Sequence, residues 1–139
     1  MTEKNMQTIF GKYLKENPPN KTEVYELKIS KKGAMPFDRV NPHQIKALRQ
    51  AQQGNLYHKI SDSPIYAGMQ TRFTAPKPFD CLNISQANAY VVIWYYRPRE
   101  RKYFILIDVR DFIVETRESD RKSLTEERAK KIASKIIEL

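Results

Sequence analysis

The tripeptide Glu26-Leu27-Lys28 puts an acid and an amine two residues apart inside the run Thr22-Glu23-Val24-Tyr25-Glu26-Leu27-Lys28-Ile29-Ser30. The run is rich in β-branched and aromatic residues and reads as a strand. Side chains alternate along an extended chain, so Tyr25, Leu27 and Ile29 share an apolar face while Val24, Glu26, Lys28 and Ser30 share the other. Glu26 and Lys28 then project side by side, about 6.6 Å apart at roughly 3.3 Å per residue. A carboxylate and an ammonium so placed could hold a divalent metal and position a water, or stabilise charge on a phosphate under attack. They could equally form a surface ion pair on an edge strand, which is the simpler reading of the tripeptide alone.

The elements around this strand must come from the rest of the chain. Met6, Ile9, Phe10, Tyr13 and Leu14 recur at helical spacing until Asn17-Pro18-Pro19-Asn20 stops them, which predicts a short amphipathic first helix. Gln7 falls where that helix is expected to face inward. Lys31-Lys32-Gly33-Ala34-Met35-Pro36 reads as a basic turn. Asn41 followed by Pro42 opens a second helix through Ile45, Leu48 and Ala51, closed at Gly54-Asn55. Strands are expected over 56–62, 79–84, 89–96 and 103–109, the 89–96 strand being buried and Arg97 to Lys102 forming a charged hairpin connection. Between the first two of these, 63–78 is a polar loop with Arg72 and Lys77, of a length that is often functional. Ser123-Leu124-Thr125-Glu126 looks like a capping box opening a last helix whose apolar stripe is Ala129, Ile132, Ala133, Ile136 and Ile137. The expected class is α/β, one domain over residues 1–139 with a mixed central β-sheet flanked by helices.

Charge narrows the partners. The chain carries 25 Lys and Arg against 16 Asp and Glu, a formal net charge of +9 and a pI near 9.7, which favours a polyanion such as nucleic acid. At 40% hydrophobic and 11% aromatic residues it is a folded domain with a positive surface and not a basic tail. No apolar run has the length of a membrane span, and the start Met1-Thr2-Glu3-Lys4 lacks the apolar core of a secretory signal. With Cys81 as the single cysteine there is no internal disulfide and no cysteine-based zinc site, so the expected compartment is the cytoplasm.

The E-x-K strand, a helix beginning Asn41-Pro42-His43-Gln44 just after it, and a second carboxylate in Pro78-Phe79-Asp80-Cys81 together resemble the PD-(D/E)xK nuclease superfamily, and within it the RecU-like Holliday junction resolvases. The likeness is carried by Tyr25-Glu26-Leu27-Lys28 with Met35-Pro36-Phe37-Asp38-Arg39-Val40-Asn41-Pro42-His43-Gln44-Ile45. Segments 89–96 and 103–112 add a similarity to the family's two closing strands. The motifs span about half the chain. The resemblance implies a restriction-endonuclease-like fold and a Mg²⁺-dependent phosphodiesterase, with Mn²⁺ a possible substitute. Its catalytic set would be Glu26, Lys28, Gln44 and Asp80, its metal ligands Glu26 and Asp80, and its substrate branched DNA cut by a two-fold dimer.

The chain departs from that pattern in one respect. The family's aspartate precedes the E-x-K, whereas the acids upstream here are Glu3, Glu16 and Glu23. Asp80 is the expected substitute, with Asp62 and Asp38 as alternatives and Glu3 the acid nearest the family's first-helix position. Lys31, Lys32, His58, Lys59, Arg72 and Lys77 are candidate nucleic-acid contacts, with Tyr66 and Phe73 in the same long loop. For each, a solvated surface charge or a hydrogen-bonded structural histidine is the plainer role. The rival function is a basic α/β module that holds DNA or RNA without cutting. If Asp80 is a ligand, Asp80→Asn shifts the Mg²⁺ titration of cleavage to higher concentration, and an unchanged titration removes it from the site.

Overall fold

The computed structural model describes residues 1–61 and 77–139, and the candidates Asp62, Tyr66, Arg72 and Phe73 lie outside them. The elements in chain order are α1 (Glu3–Glu16), β1 (Glu23–Ser30), β2 (Ala34–Pro36), a single 3-10 turn (Phe37–Arg39), α2 (Pro42–Gln53) and β3 (Asn55–Lys59). They continue with β4 (Cys81–Ser85), β5 (Asn88–Tyr95), β6 (Tyr103–Asp108), α3 (Val109–Glu118), β7 (Ser123–Thr125), α4 (Glu126–Ile132) and β8 (Lys135–Glu138). The architecture is α/β. A four-stranded mixed sheet in the order β1-β5-β6-β8 is flanked by helices, with two-stranded pairs β2-β7 and β3-β4 beside it.

β1 runs parallel to β5 in the register Glu23↔Asn88 to Ser30↔Tyr95, and β6 is antiparallel to both β5 and β8. On one face α1 lays Met6 and Phe10 against Ile29, Val92, Trp94, Phe104, Leu106 and Ile137. Thr2 caps α1 and Asn17 closes it before the two prolines. Gln7, expected to face inward, is exposed, because Met6 and Phe10 at i, i+4 spacing take the core stripe. The other face receives α2, α3 and the β2-β7 pair over Met35, Phe37, Val91, Ile93, Ile105, Ile107 and Phe112.

Three expectations are corrected. The last helix stops at Ile132, where Ala133 is already extended, and Ile136 and Ile137 form β8 instead of continuing the stripe. Without β8 the backbone of β6 would be left unpaired along one edge, and two β-branched residues suit a strand there. Thr125, and not Ser123, caps α4, while Ser123-Leu124-Thr125 pairs with Ala34-Met35-Pro36. The fifth expected strand ends at Asp108, whose side chain accepts from the Arg110 N–H and opens α3, a helix the sequence reading did not foresee. Among the described residues no helix is long and apolar enough to cross a membrane.

Asp108 also accepts from Gln52 Nε2 of α2 at 3.1 Å, tying α2 to the β6–α3 junction. Burial alone would push its carboxyl up, but the bonds from Arg110 and Gln52 outweigh that and hold it below the ordinary range. A depressed folded value means that its contribution is present above the unfolded carboxyl range and is lost as pH falls through the folded value. Asp108→Ala should therefore cost about 1 kcal/mol at neutral pH through the lost cap. The difference from wild type in urea unfolding should shrink under acid conditions.

Candidate active site

β1 sets the site through its pairing with β5. In the parallel register Glu26 lies opposite Val91 and Lys28 opposite Ile93, so both side chains emerge on the face covered by α2 and α3. The polar row of β1 is thereby enclosed toward its C-terminal end, as the apolar row is at Ile29. Lys28 is 8% exposed and Ser30 4% exposed, while Tyr25 and Leu27 on the α1 face are only half-buried. A surface ion pair does not describe this arrangement, even though β1 is an edge strand.

Lys28 Nζ stands 3.4 Å from Glu26 Oε1. Gln44, in the first turn of α2, donates from Nε2 to that same oxygen at 2.8 Å. Its orientation is fixed from behind, because Gln44 Oε1 accepts the Asn41 N–H at 2.9 Å in a reciprocal capping box, and Pro42 presets the first helical turn. Helix capping thus aims the amide at the carboxylate. The positive end of the α2 dipole faces the same way. Among the described residues Glu26 Oε2 has no hydrogen-bond partner, which leaves one carboxylate oxygen with free lone pairs beside a fixed ammonium.

The turn after β1 is held independently. Ser30 Oγ donates toward the Lys32 and Ala34 carbonyls, and the Arg39 guanidinium donates to the Ile29 carbonyl while pairing with Glu3 at 2.8 Å. These bonds keep Lys28 near the end of a strand that cannot fray without breaking them. Sequence patterning did not show this, because the polar row of β1 reads as solvent-facing until the chain doubles back at Ser30.

The other candidates are placed elsewhere. Asp80 precedes β4 on the small β3-β4 sheet, its side chain 86% exposed and 2.9 Å from Lys77. Asp38 is exposed on the 3-10 turn, and the Glu3 carboxylate is engaged by Arg39. His58 shares a strand face with Leu56, whereas Lys59 shares the opposite face with Tyr57. Lys31 and Lys32 are exposed just past the end of β1. The structure therefore brings together Glu26, Lys28 and Gln44. Among the described residues no cluster of three or more His, Cys, Asp or Glu side chains forms a metal-sized group.

Removing one member of an enclosed pair should reveal which partner bears the cost. Glu26→Ala leaves the enclosed Lys28 ammonium without its counter-charge and should lower stability by about 1–3 kcal/mol. Lys28→Met, by contrast, keeps the packing volume and leaves Glu26 its bond from Gln44, so thermal unfolding should change little or shift upward. Equal losses in both variants would contradict this asymmetry. Comparison with protein-family models, curated proteins and solved structures finds no match to the chain.

Proposed function

We propose that the protein is a Mg²⁺-dependent endonuclease of PD-(D/E)xK type that cleaves branched or structured DNA, in the manner of a Holliday junction resolvase. The observation that carries this reading is the enclosed Lys28 ammonium at 3.4 Å from a carboxylate whose second oxygen has no hydrogen-bond partner among the described residues. Enclosing a lysine beside one carboxylate oxygen costs desolvation free energy, and a charge pair held in that way is available to a reaction. A net charge of +9 suits a polyanionic substrate.

The single carboxylate that the site offers fits a hard divalent cation only with water and substrate phosphate as the remaining ligands. Magnesium is commonly held by one or two carboxylates, with water and substrate phosphate completing its shell, and Glu26 Oε2 can supply one such oxygen. When bound, the ion would polarise the scissile phosphate and acidify a water. Glu26 is held in place by Gln44, so the position of its free oxygen is set before substrate arrives. Lys28 presents its ammonium where negative charge gathers on the phosphate, on a strand that gives it little freedom to move. Gln44 acts on the reaction through Glu26 and is a positioning residue. A two-fold dimer would provide two such sites for symmetrical incision.

A second reading is a basic module that binds DNA or RNA without cutting it. The exposure of Asp80 and its pairing with Lys77, away from the partners of Glu26, favour that alternative. One assay separates the two: incubation of a labelled four-way junction beside a matched linear duplex, with Mg²⁺ and with EDTA. Paired, metal-dependent incision of the junction supports the nuclease. Lys28→Ala should then slow cleavage by roughly 10²- to 10³-fold with DNA affinity nearly unchanged. Binding without incision under any divalent metal would leave the binding module.

A further inference from the structure

Two basic segments that lie far apart in sequence meet at one end of the sheet. β1 and β5 are parallel and stop together, with Ser30 opposite Tyr95 and the Tyr96 N–H donating to the Ser30 carbonyl at 2.7 Å. Residues 31–33 and the 97–102 hairpin therefore leave the sheet side by side. Leu139, just past β8, joins them by donating its N–H to the Lys102 carbonyl. This end presents Lys31, Lys32, Arg99, Arg101 and Lys102, all exposed.

The carboxylates nearby are largely engaged. Glu126 lies 2.7 Å from Arg97 and also pairs with Lys130, and Glu100 lies 3.7 Å from the same Arg97. Glu3, paired with Arg39, and Glu138, opposite Tyr103 on β8, are further acids at this end. Among the described residues none of the five exposed cations has an ion-pair partner. The opposite end of the sheet differs in character: there Glu23 is bonded by Tyr25 and Asn88, and Asp108 by Gln52 and Arg110.

We infer that this end of the sheet, Lys31 and Lys32 together with Arg99, Arg101 and Lys102 of the β5–β6 hairpin, is a docking surface for the phosphate backbone of DNA. The inference rests on the reading of the partner as nucleic acid and adds a direction to it. Lys31 and Lys32 lie in the turn that follows the end of β1, three and four residues after Lys28. A backbone passing Lys28 would run onward over Lys31 and Lys32 and then along the hairpin. Arg99, in the turn of the hairpin, holds φ 64°. Contacts of this type fix register on the duplex without reading sequence.

The test is binding of a labelled four-way junction in EDTA across a salt series, so that hydrolysis plays no part in the readout. The hairpin variant Arg99→Asn/Arg101→Gln/Lys102→Gln is compared with Lys12→Gln/Lys15→Gln/Lys21→Gln at and beyond the C-terminal end of α1, which removes equal charge from the opposite end of the sheet. Asn is chosen at position 99 because it tolerates positive φ. The hairpin variant should bind at least about tenfold more weakly near 0.1 M salt, and its log-affinity slope against log salt should flatten by about 2 to 3 units. The comparison variant should keep the wild-type slope. Equal losses in the two variants, an unchanged hairpin variant with a native circular dichroism spectrum, or absence of junction binding by wild type would each overturn the surface. A wild-type protein that binds through the hairpin yet never cuts would instead overturn the nuclease reading and leave the surface standing.

Discussion

A parallel strand at the edge of a mixed sheet has to be covered on both faces, and the pairing of β1 with β5 imposes that condition on the whole molecule. One face is closed by α1 through Met6 and Phe10, the other by α2, α3 and the short β2-β7 pair. Because β1 alternates, whichever row faces α2 must enter that enclosure. The row that does so is Val24, Glu26, Lys28 and Ser30. Its polar members are tolerated because each has a partner: Gln44 for Glu26, Glu26 for Lys28, and backbone carbonyls for Ser30. Among the described residues no buried side-chain nitrogen or oxygen is left without a hydrogen bond.

The same constraint explains why α2 matters beyond packing. Leu48 and Ala51 seat the helix on the sheet, Asn41 and Pro42 fix where its first turn begins, and Gln44 then has a single direction to point. At the far end Gln52 reaches Asp108 and locks the helix against α3. A helix anchored at both ends holds the Glu26 carboxylate to a narrow range of orientations. Preorganisation of this kind is what electrostatic catalysis requires.

Much of this was legible in the sequence where a local rule and the global fold agree. Asn41-Pro42 marked the start of α2, the 89–96 run became the buried strand β5, and Glu26 and Lys28 fell on one face of β1 as alternation demands. What could not be read depended on partners distant in sequence. Ile136 and Ile137 fit an apolar helical stripe as well as a strand, and the open edge of β6 decided between them. α3 was hidden because Asp108 ends a strand and caps a helix at once, so the apolar run continues across the boundary without punctuation. The enclosure of Lys28 followed from the β1–β5 pairing and the fold-back at Ser30, which residue type alone does not encode. In the sequence, the resemblance to a nuclease family points to Gln44. Its capping box with Asn41 is a local signal that could have singled it out on physical grounds.

The register of β1 on β5 joins residues 65 positions apart, Glu23 with Asn88, whereas β5 and β6 are linked by a short hairpin. Pairings that close long loops form late relative to local ones, since the entropy of closure is met before any contact repays it. A chain emerging during synthesis carries Glu26 and Lys28 long before it carries the strand beside which they are enclosed. Until residues 88–95 have been made, the acid and the amine are ordinary solvated charges on an unpaired segment. Their close apposition is acquired only when the long-range sheet contact closes.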